Sequence, residues 1–122
     1  MKHNFKISII TVTKNSEAYL QDTIDSLSRQ TYQNFEHIII DGASSDQTLN
    51  IIKKNSDKIS KWISEPDQGL YYAMNKGLNF CTGEIIGILN SDDVYFPDAL
   101  STVNDYFTKN EIDFLFGRGL KH

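Results

Sequence analysis

The most constraining feature of this sequence is a regular alternation between short β-branched runs and longer amphipathic stretches. Residues 7–12 are almost entirely apolar or β-branched and predict a buried strand. Residues 16–29 carry apolar side chains at helical spacing and predict a helix. The alternation recurs, with strands expected at 36–42, 61–64, 84–89 and 112–116 and helices at 44–54, 70–80 and from Pro97 onward. This order predicts an α/β domain with a mostly parallel sheet and helices on both faces.

Local signals mark where the predicted helices begin. Ser44 with Gln47 three residues later matches a capping box, so Ser44 and Asp46 are assigned capping roles for the second helix. Residues 66–69 have the composition of a turn, and Pro97 suits the first position of the last helix. Each helix is therefore expected to begin at a polar loop that follows a strand.

Length and charge narrow the functional classes. With 122 residues the chain has the size of one domain with one main core. Its 12 Lys+Arg against 16 Asp+Glu give a formal net charge of −4, which argues against a nucleic-acid binder. The single cysteine, Cys81, excludes an intramolecular disulfide. Since no signal peptide or spanning run is visible, we expect a cytoplasmic domain and leave peripheral contact at the inner face of the cell membrane open.

Oxygen-rich loops follow the first four predicted strands, at 11–15, 41–46, 65–69 and 90–93. Parallel strands bring their carboxyl ends to one edge, which is where open sheets bind ligands. Clustered carboxylates and hydroxyls form the hard-oxygen environment that Mg²⁺ or Mn²⁺ prefers. A structural interpretation stays open, because Asp92 and Asp93 also suit a solvated loop and Asp41 a simple turn.

Common catalytic signatures are absent from the sequence. No Gly-x-Gly-x-x-Gly follows the first strand, and neither a P-loop nor a Gly-x-Ser-x-Gly elbow occurs. The three histidines, His3, His37 and His122, lack metal-ligand spacing. The sequence therefore argues against a dinucleotide-binding fold with this glycine motif, against P-loop proteins, and against hydrolases with the Gly-x-Ser-x-Gly elbow.

Four segments, 7–15, 30–48, 64–77 and 89–93, carry a family resemblance by their order and spacing. Together they resemble the amino-terminal half of a family 2 glycosyltransferase with the GT-A, Rossmann-like fold. The last segment, Leu-Asn-Ser-Asp-Asp, resembles the DXD-type metal motif of that family. The resemblance covers essentially the whole chain and implies a single nucleotide-sugar-binding domain, 1–122, that stops after the fifth strand of the fold.

The resemblance implies an inverting transfer from a nucleotide-diphosphate sugar, with a UDP-sugar expected first. The implied acceptor is undetermined, for example a growing polysaccharide or a lipid-linked glycan. Nucleotide-binding roles are implied for Thr11, Thr13, Asp41, Asp67, Gly69 and Asp92. Asp93 is implied as the ligand of a divalent cation, Mn²⁺ or Mg²⁺, which would stabilise charge developing on the diphosphate. The family's general base lies in its carboxyl-terminal half, so it is expected beyond residue 122.

Two positions depart from the family pattern, and two other function classes stay open. Tyr72 and Asn90 stand where similar members often carry aspartate. A non-catalytic nucleotide-binding or self-associating module would form homo-oligomers through the face that the family's second half covers. A receiver-like regulatory domain matches the length but needs an acidic pair after the first strand, where residues 11–14 read Thr-Val-Thr-Lys.

Overall fold

The computed structural model describes residues 3–66, 68–110 and 120–121. The elements follow in the order β1 (Ile7–Thr13), α1 (Leu20–Ser28), β2 (Phe35–Asp41), α2 (Thr48–Lys54), β3 (Lys61–Ser64), α3 (Leu70–Phe80), β4 (Ile85–Ile88), β5 (Asp93–Val94), α4 (Ala99–Asn110) and β6 (Leu120–Lys121). Within the described residues, β1 to β4 form a parallel sheet in the order β3-β2-β1-β4. β5 and β6 form a short antiparallel pair. The predicted α/β class is therefore confirmed.

The register of the sheet decides which loops meet at its carboxyl edge. β1 pairs with β2 along its whole length, from Ile7 beside Phe35 to Thr13 beside Asp41. β4 pairs with the other side of β1. As a result, the polar ends of β1 and β2 lie next to each other, as parallel pairing requires.

The parallel sheet is covered by helices on both faces, which explains why its strands are nearly continuous apolar runs. On one face, Ile39 of β2 packs with Leu20 of α1 and Ile52 of α2. On the opposite face, Ile40 packs with Ala73 of α3. Each isoleucine buried in this way contributes about 1.5–3 kcal/mol through removal of apolar surface from water.

Helix α3 lies close to the central strand β1 at Gly77. A Cβ atom at this position would lie 2.7 Å from Cγ2 of Ile10. Glycine is therefore the residue that allows the backbone of α3 to approach the sheet this closely.

At the amino edge of the sheet, the buried carboxylate of Glu36 joins three segments of the chain. It accepts hydrogen bonds from Ser8 Oγ at 2.6 Å and from the backbone N–H of Thr82 at 2.7 Å, and Lys6 Nζ lies 3.5 Å away. Burial raises the pKa of Glu36, but these hydrogen bonds and the Lys6 charge hold the pKa below its ordinary value. The Glu36 carboxylate therefore has a structural role, which is to hold these three segments together.

Element boundaries differ from the sequence predictions mainly at helix starts. α3 and β3 have the predicted bounds, whereas α1 begins at Leu20 rather than at residue 16 and α4 at Ala99 rather than at Pro97. The predicted capping box is wrong, because α2 begins at Thr48 and Ser44 Oγ bonds to Asp41 instead. The fifth strand predicted at 112–116 lies outside the described residues. In the described ranges, no helix combines the length and apolarity needed to cross a bilayer.

Candidate functional site

A cleft opens at the carboxyl edge of the sheet, between the ends of β1 and β2 and the first turn of α3. We call it the carboxyl-end cleft; it is lined by Val12, Thr13, Ile40, Asp41, Gly42, Glu65, Pro66, Gln68, Tyr72, Ala73 and Lys76. Its position matches the rule that open parallel sheets bind ligands outside the carboxyl ends of their strands.

Asp41 is the centre of the hydrogen bonds beneath this cleft. Its side chain is 1% exposed, and its Oδ1 accepts hydrogen bonds from Thr13 Oγ1 and Ser44 Oγ, both at 2.6 Å. Its Oδ2 accepts from the Ser44 backbone N–H at 2.9 Å and from Ser64 Oγ at 2.8 Å. Burial raises the pKa of Asp41, but these four hydrogen bonds hold the pKa below its ordinary value. The carboxylate therefore stays charged and links three strands.

The loop after β1 is bonded directly to the loop after β2. Asn15 adopts the left-handed conformation with φ 49°, its N–H donates to Ser44 Oγ at 2.8 Å, and its Oδ1 accepts from the Ser45 N–H at 2.9 Å. Lys14 Nζ donates to the Gly42 carbonyl at 2.7 Å. Asparagine tolerates the left-handed region better than most residues, which suits this tight connection.

The same loop also holds the start of α2. The Ser16 N–H donates to Thr48 Oγ1 at 2.7 Å, and the Glu17 N–H donates to Asp46 Oδ2 at 3.2 Å. Asp46 Oδ1 accepts from the backbone N–H of Thr48 at 2.9 Å. The capping role predicted for Asp46 therefore fits this geometry, whereas that of Ser44 does not.

The loop after β4 joins this network through hydroxyl groups. Ser16 Oγ and Ser91 Oγ lie 2.9 Å apart, and Thr23 Oγ1 donates to the carbonyl of Asp93 at 2.6 Å. These contacts bring the predicted metal loop against the loop after β1. Three loops at one edge are thereby held in fixed positions relative to one another.

The side chain of Asp93 is buried, at 6% exposure, and only half satisfied. Its Oδ2 accepts a hydrogen bond from Asn90 Nδ2 at 3.3 Å, while Oδ1 has no hydrogen-bond partner among the described residues. A buried carboxylate oxygen without a donor is costly, and a divalent cation would satisfy it. Across the described ranges, no three His, Cys, Asp or Glu side chains cluster closely enough to hold a metal between them.

The structure brings some of the predicted nucleotide-binding residues together and separates others. Thr13 and Asp41 line the cleft. Thr11 lies fully buried, hydrogen bonded to His37 Nε2 at 2.8 Å, so its hydroxyl is already engaged. Gly69 immediately precedes α3 as its N-cap and has φ 103°, a backbone conformation that favours glycine.

Of the two remaining residues predicted to bind the nucleotide, the structure describes one. Asp92 is exposed at the loop after β4, beside the buried Asp93. Asp67 lies outside the described residues, between the described Pro66 and Gln68. The direct nucleotide contacts assigned to all six residues stay predictions.

No binding role is predicted from the sequence for Glu65, Tyr72 or Lys76. In the structure Lys76 forms an ion pair with Glu65, and its Nζ lies over the Tyr72 ring, 4.6 Å from the ring centre. The spacing of Tyr72 and Lys76, four residues apart on a helix, was the available signal for this contact.

Comparison with known proteins now identifies the family. A family model described as "Glycosyl transferase family 2" matches residues 8–122. The chain belongs to this family. A PGL/p-HBAD biosynthesis glycosyltransferase of Mycobacterium bovis is 36% identical to it over 115 residues, covering 90% of the chain and 45% of the relative. The Escherichia coli UDP-Glc:alpha-D-GlcNAc-diphosphoundecaprenol beta-1,3-glucosyltransferase WfgD is 30% identical over 115 residues, which cover 93% of this chain and 46% of WfgD.

Solved structures agree with this family 2 assignment. S. aureus TarS 1-349 in complex with UDP-GlcNAc superimposes with a TM-score of 0.80 at 26% identity, covering 96% of this chain and 37% of TarS. The mannosyltransferase PcManGT from Pyrobaculum calidifontis, solved with GDP-Man and Mn²⁺, reaches a TM-score of 0.75 over 87% of this chain and 32% of its own. At 22% identity, this second likeness shows the fold alone.

These findings confirm the predicted family and the predicted GT-A fold. The family 2 chain spans somewhat under half the length of the curated relatives that it matches. Those relatives are named as glycosyltransferases, so the family to which the chain belongs performs glycosyl transfer.

Proposed function

We propose that this chain binds the nucleotide-diphosphate sugar donor of an inverting glycosyltransferase, with UDP as the nucleotide. The observation that carries the proposal is the carboxyl-end cleft, in which Thr13 and Asp41 are paired by strand register and held by a closed hydrogen-bond network. The names of WfgD, a UDP-Glc transferase, and of the TarS complex with UDP-GlcNAc support uridine as the nucleoside.

The proposed donor contacts follow from the chemistry of the cleft. Thr13 and Asp41 offer a hydroxyl and a charged carboxylate at the polar end of the cleft, where a nucleobase N–H or a ribose hydroxyl could donate. Asp41 already accepts four hydrogen bonds. An N–H or O–H group of the bound nucleotide must therefore replace one of the hydroxyl groups that now donate to it. The exposed Asp92 and the glycine at position 69 are proposed to lie along the ribose and diphosphate.

Asp93 is the proposed ligand of a divalent cation, Mn²⁺ or Mg²⁺. Its Oδ1, which has no partner within the part of the chain that the structure describes, fits this role, since a cation satisfies a buried carboxylate oxygen that lacks a donor. When bound, the cation would neutralise charge that develops on the diphosphate leaving group. Asn90 would hold the other carboxylate oxygen and so fix the orientation of the ligand.

The acceptor is proposed to be a glycan or a lipid-linked sugar, reached at the cytoplasmic face of a membrane. WfgD, whose named acceptor is a sugar on diphosphoundecaprenol, supports the lipid-linked class. No residue of this chain is proposed as the general base of the transfer.

Calorimetric titration of the chain with UDP in Mn²⁺ tests the proposal. We expect saturable binding that is weakened at least about ten-fold by EDTA and by Asp93→Asn, since the amide cannot bind the cation as a carboxylate does. Asp57→Asn, an exposed carboxylate elsewhere, is the matched control and should leave binding unchanged. Absence of UDP binding would overturn the proposed function, whereas UDP binding unaffected by Asp93→Asn would overturn the metal role alone.

A self-associating module is the second candidate, favoured by the outer strand β4. Within the described residues β4 is an edge of the parallel sheet, and Ile86 and Ile88 are half exposed there. Exposed apolar edge strands favour pairing with another chain. Light scattering decides this: a monomer at high concentration removes the candidate, and a defined dimer that Ile88→Lys disrupts supports it.

A further inference from the structure

We propose that the ring of Tyr72 is the surface on which the nucleobase of the bound donor stacks. The inference rests on the proposed function and adds a recognition residue to it. The family resemblance does not supply this residue, because similar members often carry aspartate at this position. Tyr72 would thus give this chain a base contact of its own.

The position of Tyr72 at the carboxyl-end cleft makes the contact available. It lies in the first turn of α3 and lines the cleft together with Val12, Ile40 and Ala73. Tyr72 is 47% exposed, so part of its ring is open to a ligand. An aromatic ring at the mouth of a binding cleft offers a flat face to a flat ligand.

The ring is held in place by Lys76 and Glu65. Lys76 Nζ lies 4.6 Å from the ring centre and also forms an ion pair with Glu65, and its side chain is only 19% exposed. An aspartate at position 72 would instead pair with Lys76 across one helical turn. With tyrosine there, Glu65 neutralises the ammonium group and the ammonium group orients the ring. A ring fixed before binding loses little entropy when a ligand stacks on it.

The apolar sides and the polar end of the cleft match the apolar faces and the hydrogen-bonding edge of a nucleobase. Val12, Ile40 and Ala73 give apolar sides, whereas Thr13 and Asp41 form a polar end. A heterocyclic base has two apolar faces and a hydrogen-bonding edge, whereas a diphosphate is charged on every side and would be repelled by the anionic Asp41. The arrangement therefore favours the base over the phosphates as the group next to Tyr72.

Calorimetry with ligands that do or do not contain a base tests this inference. Titrations use UDP, uridine and inorganic pyrophosphate, each with Mn²⁺, against wild type, Tyr72→Leu, Tyr72→Phe and Tyr71→Ala. Base stacking predicts about a ten-fold loss of affinity for UDP and uridine in Tyr72→Leu, with pyrophosphate affinity unchanged. Tyr72→Phe should stay within about two-fold of wild type, because the ring is kept.

The neighbouring Tyr71 provides the matched control, since it is 88% exposed and does not line the cleft. Tyr71→Ala should bind all three ligands as wild type does. If wild type binds UDP and Tyr72→Leu binds it equally well, the inference is overturned while the proposed function stands. If Tyr72→Leu loses pyrophosphate and UDP alike, the ring supports the cleft without stacking on the base, which also overturns the inference. Failure of wild type to bind UDP overturns the proposed function itself.

Discussion

Asp41 accepts four hydrogen bonds while almost fully buried, so its neighbours, rather than water, stabilise its charge. Asp41→Asn would remove the charge, and its NH₂ group would put a donor where one carboxylate oxygen accepts two hydrogen bonds, so the hydroxyls of Thr13 and Ser44 could no longer both donate as they do now. We expect the free energy of unfolding to fall by about 2 kcal/mol, measured by urea denaturation. The exposed Asp57→Asn should change it by no more than about 0.5 kcal/mol. An equal loss in both variants would contradict this role.

The lowered pKa of Asp41 also predicts that the free energy of unfolding falls at acid pH. Its folded-state pKa lies below the ordinary value of 3.8, so the unfolded state binds the proton more tightly. The resulting stabilisation is fully present above the unfolded pKa and is lost as the pH falls through the folded pKa. Urea denaturation below pH 4 should therefore show a steeper loss of stability in wild type than in Asp41→Asn. Parallel curves would contradict the expectation.

His37 predicts a second, separate pH window. Burial lowers its pKa from 6.5 to about 3, and Nδ1 has no hydrogen-bond partner among the described residues. Between pH 6.5 and about 3 the unfolded state binds the proton and the folded state does not, so stability falls as the pH falls. We expect a loss of about 2 kcal/mol between pH 6.5 and 5, measured by urea denaturation. His37→Gln should remove most of this slope, and an unchanged slope would assign it to other groups.

At the scale of elements, the four strands of the parallel sheet and α3 were predictable because their signals are local, whereas β5 falls where the sequence predicts a polar loop. Apolar periodicity located β1, β3 and α3 within a residue or two of their observed bounds. The start of α2 was not predictable, because Ser44 is used by Asp41 and by Asn15, contacts that exist only after the sheet forms. Long-range side-chain bonds of this kind leave no periodic signal in the sequence.

The candidate site was predictable to the same degree. Loop chemistry and the family resemblance predict Thr13 and Asp41 as nucleotide-binding residues, and the register of β1 and β2 places the two side by side. The contact of Lys76 with Tyr72 and Glu65 was missed, although its helical spacing was visible. The free oxygen of Asp93 depends on burial, which composition and spacing do not reveal.

The contact between α3 and β1 predicts a cost for enlarging Gly77. Gly77→Ala raises helix propensity, yet the new Cβ would lie 2.7 Å from Cγ2 of Ile10, a stiff β-branched side chain. We expect a net loss of about 1–3 kcal/mol in the free energy of unfolding, because overpacking outweighs propensity. Asn75→Ala, on the exposed side of the same helix, should leave stability unchanged or slightly higher. A stabilised Gly77→Ala would show that α3 can shift from the sheet.

At the scale of the whole molecule, the two edges of the sheet differ in how their polar groups are used. At the amino edge, Glu36 is satisfied by Ser8, Thr82 and Lys6. At the carboxyl edge, a cleft opens, and no donor from the described part of the chain contacts the buried Oδ1 of Asp93. The net charge of −4 is consistent with a carboxyl edge that binds a cation. We therefore propose that the carboxyl edge of the sheet, and not the amino edge, binds the nucleotide-sugar donor.

Nuclear magnetic resonance titration of the chain with UDP and Mg²⁺ tests this claim most directly, because amide shifts locate a ligand along the chain. We expect saturable shifts concentrated in residues 12–17, 41–48, 68–77 and 90–93, with residues 6–8, 36 and 82–84 at the amino edge unaffected. Saturable shifts centred on the amino edge, or no saturable shifts at all, would contradict it.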